Sequence, residues 1–323
     1  MNPRYLFIIN PFSGAGEGEA IARTLQKLLG EHPAYRGGMG EVIRIDRLEP
    51  ERLSAMLFDA EVIIIGGGDG TVNSLLARII GCPAPPSLAL IPLGTSNDLA
   101  RALGVPVRHD WTAEHTLQTL LDSLPNAPPR RLDVLGLNDA LYFCNYFSIG
   151  LDAAIVRDFD YFRDSRWASI LPPGRLVNNA VYFLMGLRNA CFSLTPPIEI
   201  LMEQGVHHRV RISRRVKAII VSNLPVYAGG CTLHPQARVD DGLFEITVVA
   251  NAYQYVRIIA TRFLKFLGPP RLAQYQAGRI SLRMNHPSVS QVDGEKGPLP
   301  ESLPPILRIS VRSSISVLIP TPA

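Results

Sequence analysis

The segment EVIIIGGGDGTVN, residues 61–73, decides the fold of the first part of the chain. Its apolar beginning at residues 61–65 has the composition of a short buried strand, and a helical pattern starts at Thr71. Four glycines surround Asp69 between the strand and the helix. Glycine permits positive φ angles and lets backbone N–H groups come close to a phosphate. We therefore predict a phosphate-binding loop, with Thr71 capping the helix and Asp69 suited to Mg²⁺ that accompanies the phosphates.

The same strand–loop–helix order recurs on both sides of this segment. Short apolar strands are predicted at residues 4–9, 42–45 and 87–91, and helices at residues 19–29, 49–57 and 97–103. Strands that alternate with helices are typical of a parallel sheet with crossover helices. We expect one α/β domain over residues 1–127.

Two further loops follow predicted strands of that sheet. Residues 10–16 read NPFSGAG, and residues 92–101 read PLGTSNDLAR. The carboxyl ends of parallel strands meet at one edge of the sheet, where ligands of such folds bind. Each loop alone is also compatible with a plain turn, and Asn97 or Asp98 with a plain helix cap. Together with residues 66–71, the loops predict a cleft for a nucleotide and a metal ion.

The character of the sequence changes after residues 123–129, SLPNAPP, which have the composition of a linker. Residues 128–323 are expected to form a second, mainly antiparallel β domain, whose last strand is free to return to the first domain. Helical patterns interrupt this domain at residues 176–190 and 252–267. The strands are predicted in hairpins at residues 130–148 and 198–213, and singly at 216–222, 243–249, 279–284, 288–292, 306–310 and 315–319.

Two acidic turns stand out in the second half. Residues 291–295, QVDGE, place Asp293 and Glu295 on either side of a glycine in a predicted hairpin turn. Residues 240–243, DDGL, enter a predicted strand in the same way. From residue types alone, each segment is either an ordinary turn or a group with a catalytic or metal-binding role.

Composition limits the class of protein. Of the 323 residues, 47% are hydrophobic and 19% are charged, which excludes global disorder. No apolar run approaches the ~20 residues that span a bilayer, and the N-terminus lacks a signal-peptide pattern. The four cysteines form no CxxC pair, so a zinc site is not expected and the thiols suit a reducing cytosol. A net charge of +4 suits anionic partners such as nucleotides or lipid headgroups, but it is too weak to indicate nucleic-acid binding.

Taken together, the motifs resemble the diacylglycerol kinase catalytic family, which also includes sphingosine and ceramide kinases. The matching segments are NPFSG at residues 10–14, GGDGT at 67–71, PLGTSND at 92–98, DGL at 241–243 and DGE at 293–295. GGDGT also occurs in NAD kinases, whereas PLGTSND with the late DGE is more specific. The resemblance implies a phosphofructokinase-like α/β domain followed by a β-sandwich.

The resemblance also implies roles for particular residues. Asp69 and Asp98 would hold a network of Mg²⁺ and water around the phosphates of ATP. Asp293 matches the general base, with Glu295 as its companion, and Asp241 matches a structural Mg²⁺ site completed by the carbonyls of Leu243 and Arg238. The residues expected to contact ATP or its metal are Asn10, Ser13, Gly14, Gly66, Gly67, Gly68, Asp69, Gly70, Thr71, Val72, Thr95 and Asp98.

The sequence therefore predicts an ATP-dependent kinase that phosphorylates the free hydroxyl of diacylglycerol to give phosphatidate. Three alternatives stay open: a kinase for another lipid alcohol such as a sphingoid base or ceramide, an NAD kinase, and a non-catalytic lipid or nucleotide sensor. Because the lipid is barely soluble, we expect a cytoplasmic protein that docks at an anionic membrane through residues 253–267 or the apolar loop 167–173. The sequence is also compatible with a homodimer.

Overall fold

A computed structural model describes residues 4–35, 39–47, 49–165, 175–204, 206–264, 266, 268–286, 288–296 and 306–320. The chain divides into two compact units. Unit 1 comprises residues 1–134 and 312–323, and unit 2 comprises residues 135–311. The last strand of the chain begins in unit 2 and ends in unit 1.

Unit 1 alternates strands and helices. Its elements are β1 (Tyr5–Ile9), α1 (Glu17–Glu31), β2 (Gly40–Arg44), α2 (Pro50–Asp59), β3 (Val62–Gly67), α3 (Asp69–Ile80), β4 (Ser87–Pro92), α4 (Asp98–Leu103), α5 (Glu114–Ser123) and the beginning of β5 (Pro129–Leu137). Strands β2, β1, β3 and β4 are parallel neighbours in that order. All residues of β1 and β3 are buried, as expected for strands covered on both faces.

Unit 2 is built mainly of antiparallel strands. Its elements are the end of β5, β6 (Leu141–Phe143), β7 (Tyr146–Gly150), α6 (Leu151–Arg163), α7 (Arg175–Arg188), β8 (Ile198–Gln204), β9 (Val206–Ile212), β10 (Ala218–Ser222), β11 (Val226–Tyr227), β12 (Cys231–Thr232), β13 (Phe244–Val249), α8 (Ala252–Ala260), β14 (Ala273–Ala277), β15 (Arg279–Met284), β16 (Ser290–Val292), β17 (Glu295–Lys296) and the first part of β18 (Ile306–Leu318).

Two antiparallel sets of strands pack face to face in unit 2. One set has the order β14-β13-β10-β7-β16-β17, and the other joins β18, β15, β8 and β9. Their apolar side chains meet in one buried cluster, which includes Phe147 and Ile246 from the first set and Ile200 and Leu282 from the second. Helices α6, α7 and α8 pack on the other face of the first set, in a second cluster. The α/β unit and the antiparallel unit confirm the predicted fold class.

Some sequence-based elements were wrong in detail. The strand predicted at residues 141–148 is two strands, β6 and β7, which are separated at Asn145. The carbonyl of Asn145 accepts the N–H of Asn223 (2.8 Å), the residue that follows β10. The strands predicted at 306–310 and 315–319 are the single strand β18. Helices α5 and α6 were not predicted. The helix predicted at 252–267 ends at Ala260, where the backbone N–H groups of Thr261 and Arg262 donate to carbonyls three residues earlier (3.1 and 3.2 Å), so the last turn is tighter than an α-helix.

Candidate active site

The candidate nucleotide site in unit 1 lies where three parallel strands end. Helices α1, α3 and α4 begin after the carboxyl ends of β1, β3 and β4. The first N–H groups of a helix have no partner within the helix, and the helix dipole is positive there. The edge therefore presents three loops and three helix N-termini, which is a favourable environment for an anion.

Asn10 joins the first loop to the second. Its backbone N–H donates to the carbonyl of Gly66 (2.8 Å), and its Nδ2 donates to the hydroxyl of Thr71 (3.1 Å). Its Oδ1 accepts the N–H of Phe12 (3.1 Å), which shapes the turn that follows β1. The prediction that Thr71 caps α3 was wrong, because α3 already begins at Asp69 with Gly68 at the N-cap position.

The second and third loops approach each other so closely that only glycine fits between them. A Cβ on Gly94 would lie 2.6 Å from the Cα of Gly68, and a Cβ on Gly68 would lie 3.1 Å from the Cα of Gly94. The N–H of Leu93 also donates to the carbonyl of Gly67 (2.9 Å). These contacts hold residues 66–71 and 92–98 as one surface.

Asp69 links the two loops through its carboxylate. Its Oδ2 accepts the N–H of Asp98 (3.0 Å), and its Oδ1 accepts the N–H of Leu99 (3.3 Å). Both N–H groups belong to the first turn of α4, so Asp69 caps a helix that starts 29 residues later in the sequence. The side chain of Asn97 instead turns back to the carbonyl of Gly94 (2.7 Å). Asp69 therefore has a structural task in addition to the metal role expected from the sequence.

The other predicted nucleotide contacts differ in accessibility. Thr95 is exposed, and Ser13 and Gly14 are half-buried beside the N-terminus of α1. Asp98 is 1% exposed and Val72 is 4% exposed. Because the side chain of Val72 packs in the interior, only its backbone remains for a ligand, and its N–H donates to the carbonyl of Gly68 (3.3 Å).

Unit 2 holds Asp293 in a tight turn between β16 and β17. Val292 pairs with Glu295, and the two intervening residues, Asp293 and Gly294, have φ angles of 51° and 84°. The Asp293 N–H donates to the carbonyl of Tyr146 (2.9 Å), and its Oδ1 accepts the N–H of Tyr146 (2.8 Å). The side chain is thereby fixed against β7 and is buried. The backbone of Glu295 lies in β17, while its side chain lies outside the part of the chain that the structure describes.

The acidic turn at residues 240–243 is an exposed Asx-type turn. Asp241 Oδ1 accepts the N–H of Leu243 (3.1 Å), and the guanidinium of Arg238 lies 3.3 Å from Asp240. Burial, and secondly the charge of Asp241, raise the pKa of Glu245 to about 7. Asp241 therefore brings local negative charge to the start of β13.

Two carboxylates that are at most 1% exposed were not among the predicted site residues. Asp133 lies on β5 with no exposed surface, and Asp152 lies in the first turn of α6 with 1% exposed. Burial raises the pKa of Asp152, and bonds from Ser148, Tyr227 and Gln291 oppose that shift. The signal available for Asp152 was the segment NYFSIGLD at residues 145–152, which also resembles the eukaryotic diacylglycerol kinases, but only the fold shows that Asp152 is buried.

The oxygen donors of unit 1 suit a magnesium ion that arrives with a nucleotide. Within the described residues, no group of three or more His, Cys, Asp or Glu side chains comes together as a metal site. Asp69 and Asp98 nevertheless place two carboxylates at the first residues of α3 and α4, with Asp98 buried. Hard oxygen donors next to phosphates are the set that Mg²⁺ prefers.

Comparisons with known proteins decide the family. The model of the diacylglycerol kinase catalytic domain matches residues 4–126, and that of the diacylglycerol kinase accessory domain matches residues 142–296. The chain belongs to the diacylglycerol kinase catalytic family. The predicted resemblance is thus confirmed, and the chain is assigned to a family of lipid kinases.

Relatives in this family come from bacteria and animals. The chain is 33% identical over 244 residues to "Probable lipid kinase YegS-like" of Chromohalobacter salexigens, covering 72% of this chain and 66% of that protein. It is 26% identical to the diacylglycerol kinase of Bacillus subtilis over 91% of this chain and 90% of that protein. It spans 32% of the length of diacylglycerol kinase theta of Mus musculus, at 27% identity over 90% of this chain.

A solved structure has the same fold. The crystal structure of a diacylglycerol kinase from Bacillus anthracis strain Sterne superposes with a TM-score of 0.62, covering 98% of this chain and 97% of that one at 21% sequence identity. Among the residues described here, no helix combines the length and apolar composition needed to cross a bilayer.

Proposed function

We propose that this lipid kinase transfers the γ-phosphoryl group of ATP to the free hydroxyl of a diacylglycerol, giving phosphatidate and ADP. The observation that carries the proposal is the joined surface of residues 66–71 and 92–98, fixed by Asp69 at the N-terminus of α4. Such a surface suits a triphosphate, because the loop backbone and the N-termini of α1 and α3 neutralise charge without moving, whereas Asp69 already binds the N-terminus of α4.

The residues of unit 1 supply binding and orientation in this proposal. The loops after β1, β3 and β4 bind the phosphates, with Asn10, Ser13, Gly14 and Thr95 at their margins. Asp69 and Asp98 would hold Mg²⁺, which supplies charge neutralisation at the phosphates when it is bound. Phosphoryl transfer depends mostly on such positioning and charge neutralisation.

Asp293 supplies the base in this proposal. As the lipid hydroxyl oxygen bonds to the γ-phosphorus, the bond between that phosphorus and the leaving ADP oxygen breaks, and the hydroxyl proton passes to the Asp293 carboxylate. A fixed carboxylate suits this task, and both Asp293 N–H and Oδ1 are bonded to the backbone of Tyr146. Glu295 is its proposed companion, and Asp241 with the carbonyls of Leu243 and Arg238 would hold a separate structural cation.

The test is a transfer reaction with a defined set of acceptors. The purified chain is incubated with γ-labelled ATP and Mg²⁺ beside vesicles of diacylglycerol, sphingosine or ceramide, and with NAD in a parallel tube. We expect labelled phosphatidate, identified by mass spectrometry. Label in a sphingoid or ceramide phosphate would replace the acceptor, label in NADP would overturn the lipid proposal, and ATP binding without transfer would favour a sensor.

We further propose that unit 2 meets the lipid at an anionic membrane. Helices α7 and α8 pack on the same apolar cluster through Tyr182, Met185, Tyr255 and Ile258. Large apolar side chains nevertheless face solvent on both helices and on the residues after α8: Phe183, Leu184, Leu187, Tyr253, Val256, Phe263 and Phe266. Arg262 lies over the ring of Phe263, with its guanidinium carbon 5.7 Å from the ring centroid. Apolar side chains beside basic ones are typical of interfacial segments.

The docking surface can be tested at Phe263 and Phe266, which are 70% and 82% exposed. Changing both to Ser should weaken binding to vesicles with acidic phospholipid at least tenfold, because the rings then no longer enter the bilayer. Phe58→Ser, at an exposed phenylalanine of unit 1, is the matched control and should leave binding unchanged. Equal binding to neutral and acidic vesicles, or equal effects of both changes, would contradict the surface. The other predicted docking loop, 167–173, lies outside the described residues.

A further inference from the structure

A closed set of buried contacts surrounds the turn that carries Asp293. Tyr146 binds Asp293 through its backbone, and its ring lies 4.7 Å, centroid to centroid, from the ring of Tyr227. The Tyr227 hydroxyl donates to Asp152 Oδ2 (2.6 Å), which also accepts the hydroxyl of Ser148. Gln291 connects this group to the turn, because its side-chain amide bonds to Ser148 on one side and to Gly294 on the other.

Gln291 is fixed at both ends of its amide. Its Nε2 donates to the hydroxyl oxygen of Ser148 (2.8 Å), and Asp152 Oδ2 lies at 3.4 Å. Its Oε1 accepts the N–H of Gly294 (2.7 Å), the residue directly after Asp293. An amide nitrogen only donates and an amide oxygen only accepts, so the acceptors at Ser148 and Asp152 select the orientation in which Oε1 faces Gly294.

The strand register explains why these distant residues meet. Gln291 on β16 pairs with Ser148 on β7, so the two side chains lie on the same face of the sheet. Asp152 reaches that face from the first turn of α6, which follows β7 directly. All of Ser148, Asp152, Tyr227 and Gln291 are at most 2% exposed. Buried polar groups that bond to one another give rigidity, because breaking one bond leaves another group unsatisfied.

The turn needs such support. Among the residues that the structure describes, Asp293 is one of five other than glycine with a positive φ angle, a backbone conformation that L-residues adopt only at an energetic cost. A strained conformation persists when the surrounding structure holds it. The two bonds to Tyr146 hold Asp293 itself, and the bond from Gly294 to Gln291 holds the other half of the turn.

We propose that Asp152 and Gln291 are positioning residues of the lipid kinase reaction: Asp152 orients Gln291, and Gln291 holds the turn that presents Asp293. The inference rests on the proposed role of Asp293 as base. Neither residue contacts the reacting groups; they act by fixing where the Asp293 carboxylate lies.

The experiment combines amide exchange with kinetics. Gln291→Met keeps the length of the side chain but removes both hydrogen bonds. Asp152→Leu removes the acceptor, whereas Asp152→Asn keeps an oxygen acceptor with the same shape. Thr247→Val is the matched control, because Thr247 is fully buried on β13 of the same sheet and bonds to His234 (3.1 Å), away from the turn.

Gln291→Met and Asp152→Leu should accelerate hydrogen exchange of the Gly294 amide at least tenfold, measured by NMR on the unliganded chain. They should lower kcat on the order of 10–100-fold with KM for ATP unchanged, since small misplacements of a reacting group have effects of this size. Asp152→Asn should recover kcat to within about fivefold of wild type, and Thr247→Val should change neither quantity more than about twofold.

Gly294 exchange that is no faster in Gln291→Met than in Thr247→Val would overturn the proposal. The proposal would also be overturned if, in all variants including Thr247→Val, the loss of kcat were in proportion to the loss in melting temperature. If wild type phosphorylates no lipid, the proposed function fails, while the Gly294 exchange rates still decide whether Asp152 and Gln291 hold the turn. Should Asp152→Leu not fold, Gln291→Met and Asp152→Asn suffice for both readouts.

Discussion

The loops of unit 1 that we propose to bind the nucleotide and the Asp293 turn of unit 2 are constructed in different ways. In unit 1, short motifs follow successive strands, and backbone groups and glycines form most of the surface. In unit 2, Asp293 is held by Tyr146, which lies 147 residues earlier in the sequence. The proposed phosphate-binding surface is therefore built mostly from segments that are local in sequence, whereas the orientation of the Asp293 carboxylate depends on contacts from distant segments.

The largest expected effect is at Asp293. Asp293→Asn should lower kcat by a factor on the order of 10²–10⁴, because the amide keeps the shape of the side chain but cannot accept the proton. ATP affinity, measured by calorimetry, should change little. An equal loss of ATP binding would contradict the role of Asp293 as base, because Asp293 would then act as a nucleotide or metal ligand.

The next effect is at Asp69, where binding and structure coincide. Asp69→Ala should lower kcat more than tenfold, and it should also lower the melting temperature by removing the cap of α4. Asp69→Asn keeps an acceptor for one N–H but removes the negative charge. An Asp69→Asn variant that is stable but inactive would separate the capping of α4 from the metal role. An Asp69→Ala variant that keeps more than about a tenth of wild-type kcat would contradict the central role of Asp69 in the reaction.

A smaller effect is expected at Gly94, where a substitution tests whether the close approach of the two loops of unit 1 is needed for ATP binding. Gly94→Ala places a Cβ 2.6 Å from the Cα of Gly68, so the two loops must separate. We expect a loss of stability of about 1–3 kcal/mol and weaker ATP binding. Gly30→Ala is the control, because Gly30 is an exposed residue of α1 with open space around its Cα. It should stabilise the chain by about 0.5–1 kcal/mol in the same denaturation assay.

The smallest effect concerns the cation proposed at Asp241 in unit 2. Mg²⁺ at a free concentration ten times its dissociation constant would stabilise the chain by about 1.4 kcal/mol. This corresponds to a rise of roughly 2–4 °C in melting temperature. Asp241→Ala should lower the melting temperature and make it insensitive to Mg²⁺. A variant that retains the response of wild type would remove the cation from this turn and leave a plain Asx-type turn.

The sequence could predict the alternation of strands and helices in unit 1 because each strand–loop–helix unit is encoded within about 20 residues. It could not predict that Asp69 caps α4 or that Thr71 binds Asn10, since both contacts depend on which strands are neighbours. In unit 2, helix α6 was missed, and the strand predicted at residues 141–148 was not recognised as two strands of different partners. Pairing between distant strands leaves little trace in one sequence, because the same alternating pattern suits several registers.

By itself, the sequence determined the fold class, the family motifs and the identity of the acidic residues that could perform chemistry. The tertiary structure alone decided which of those residues are buried, capped or held in a strained turn. The physical reason is that residue type sets what a side chain can donate, accept or neutralise, whereas its partners are set by packing across the sheet. Asp152 and Gln291 illustrate the second case: 139 residues separate them in sequence, and the register of β7 and β16, with α6 starting directly after β7, brings them together.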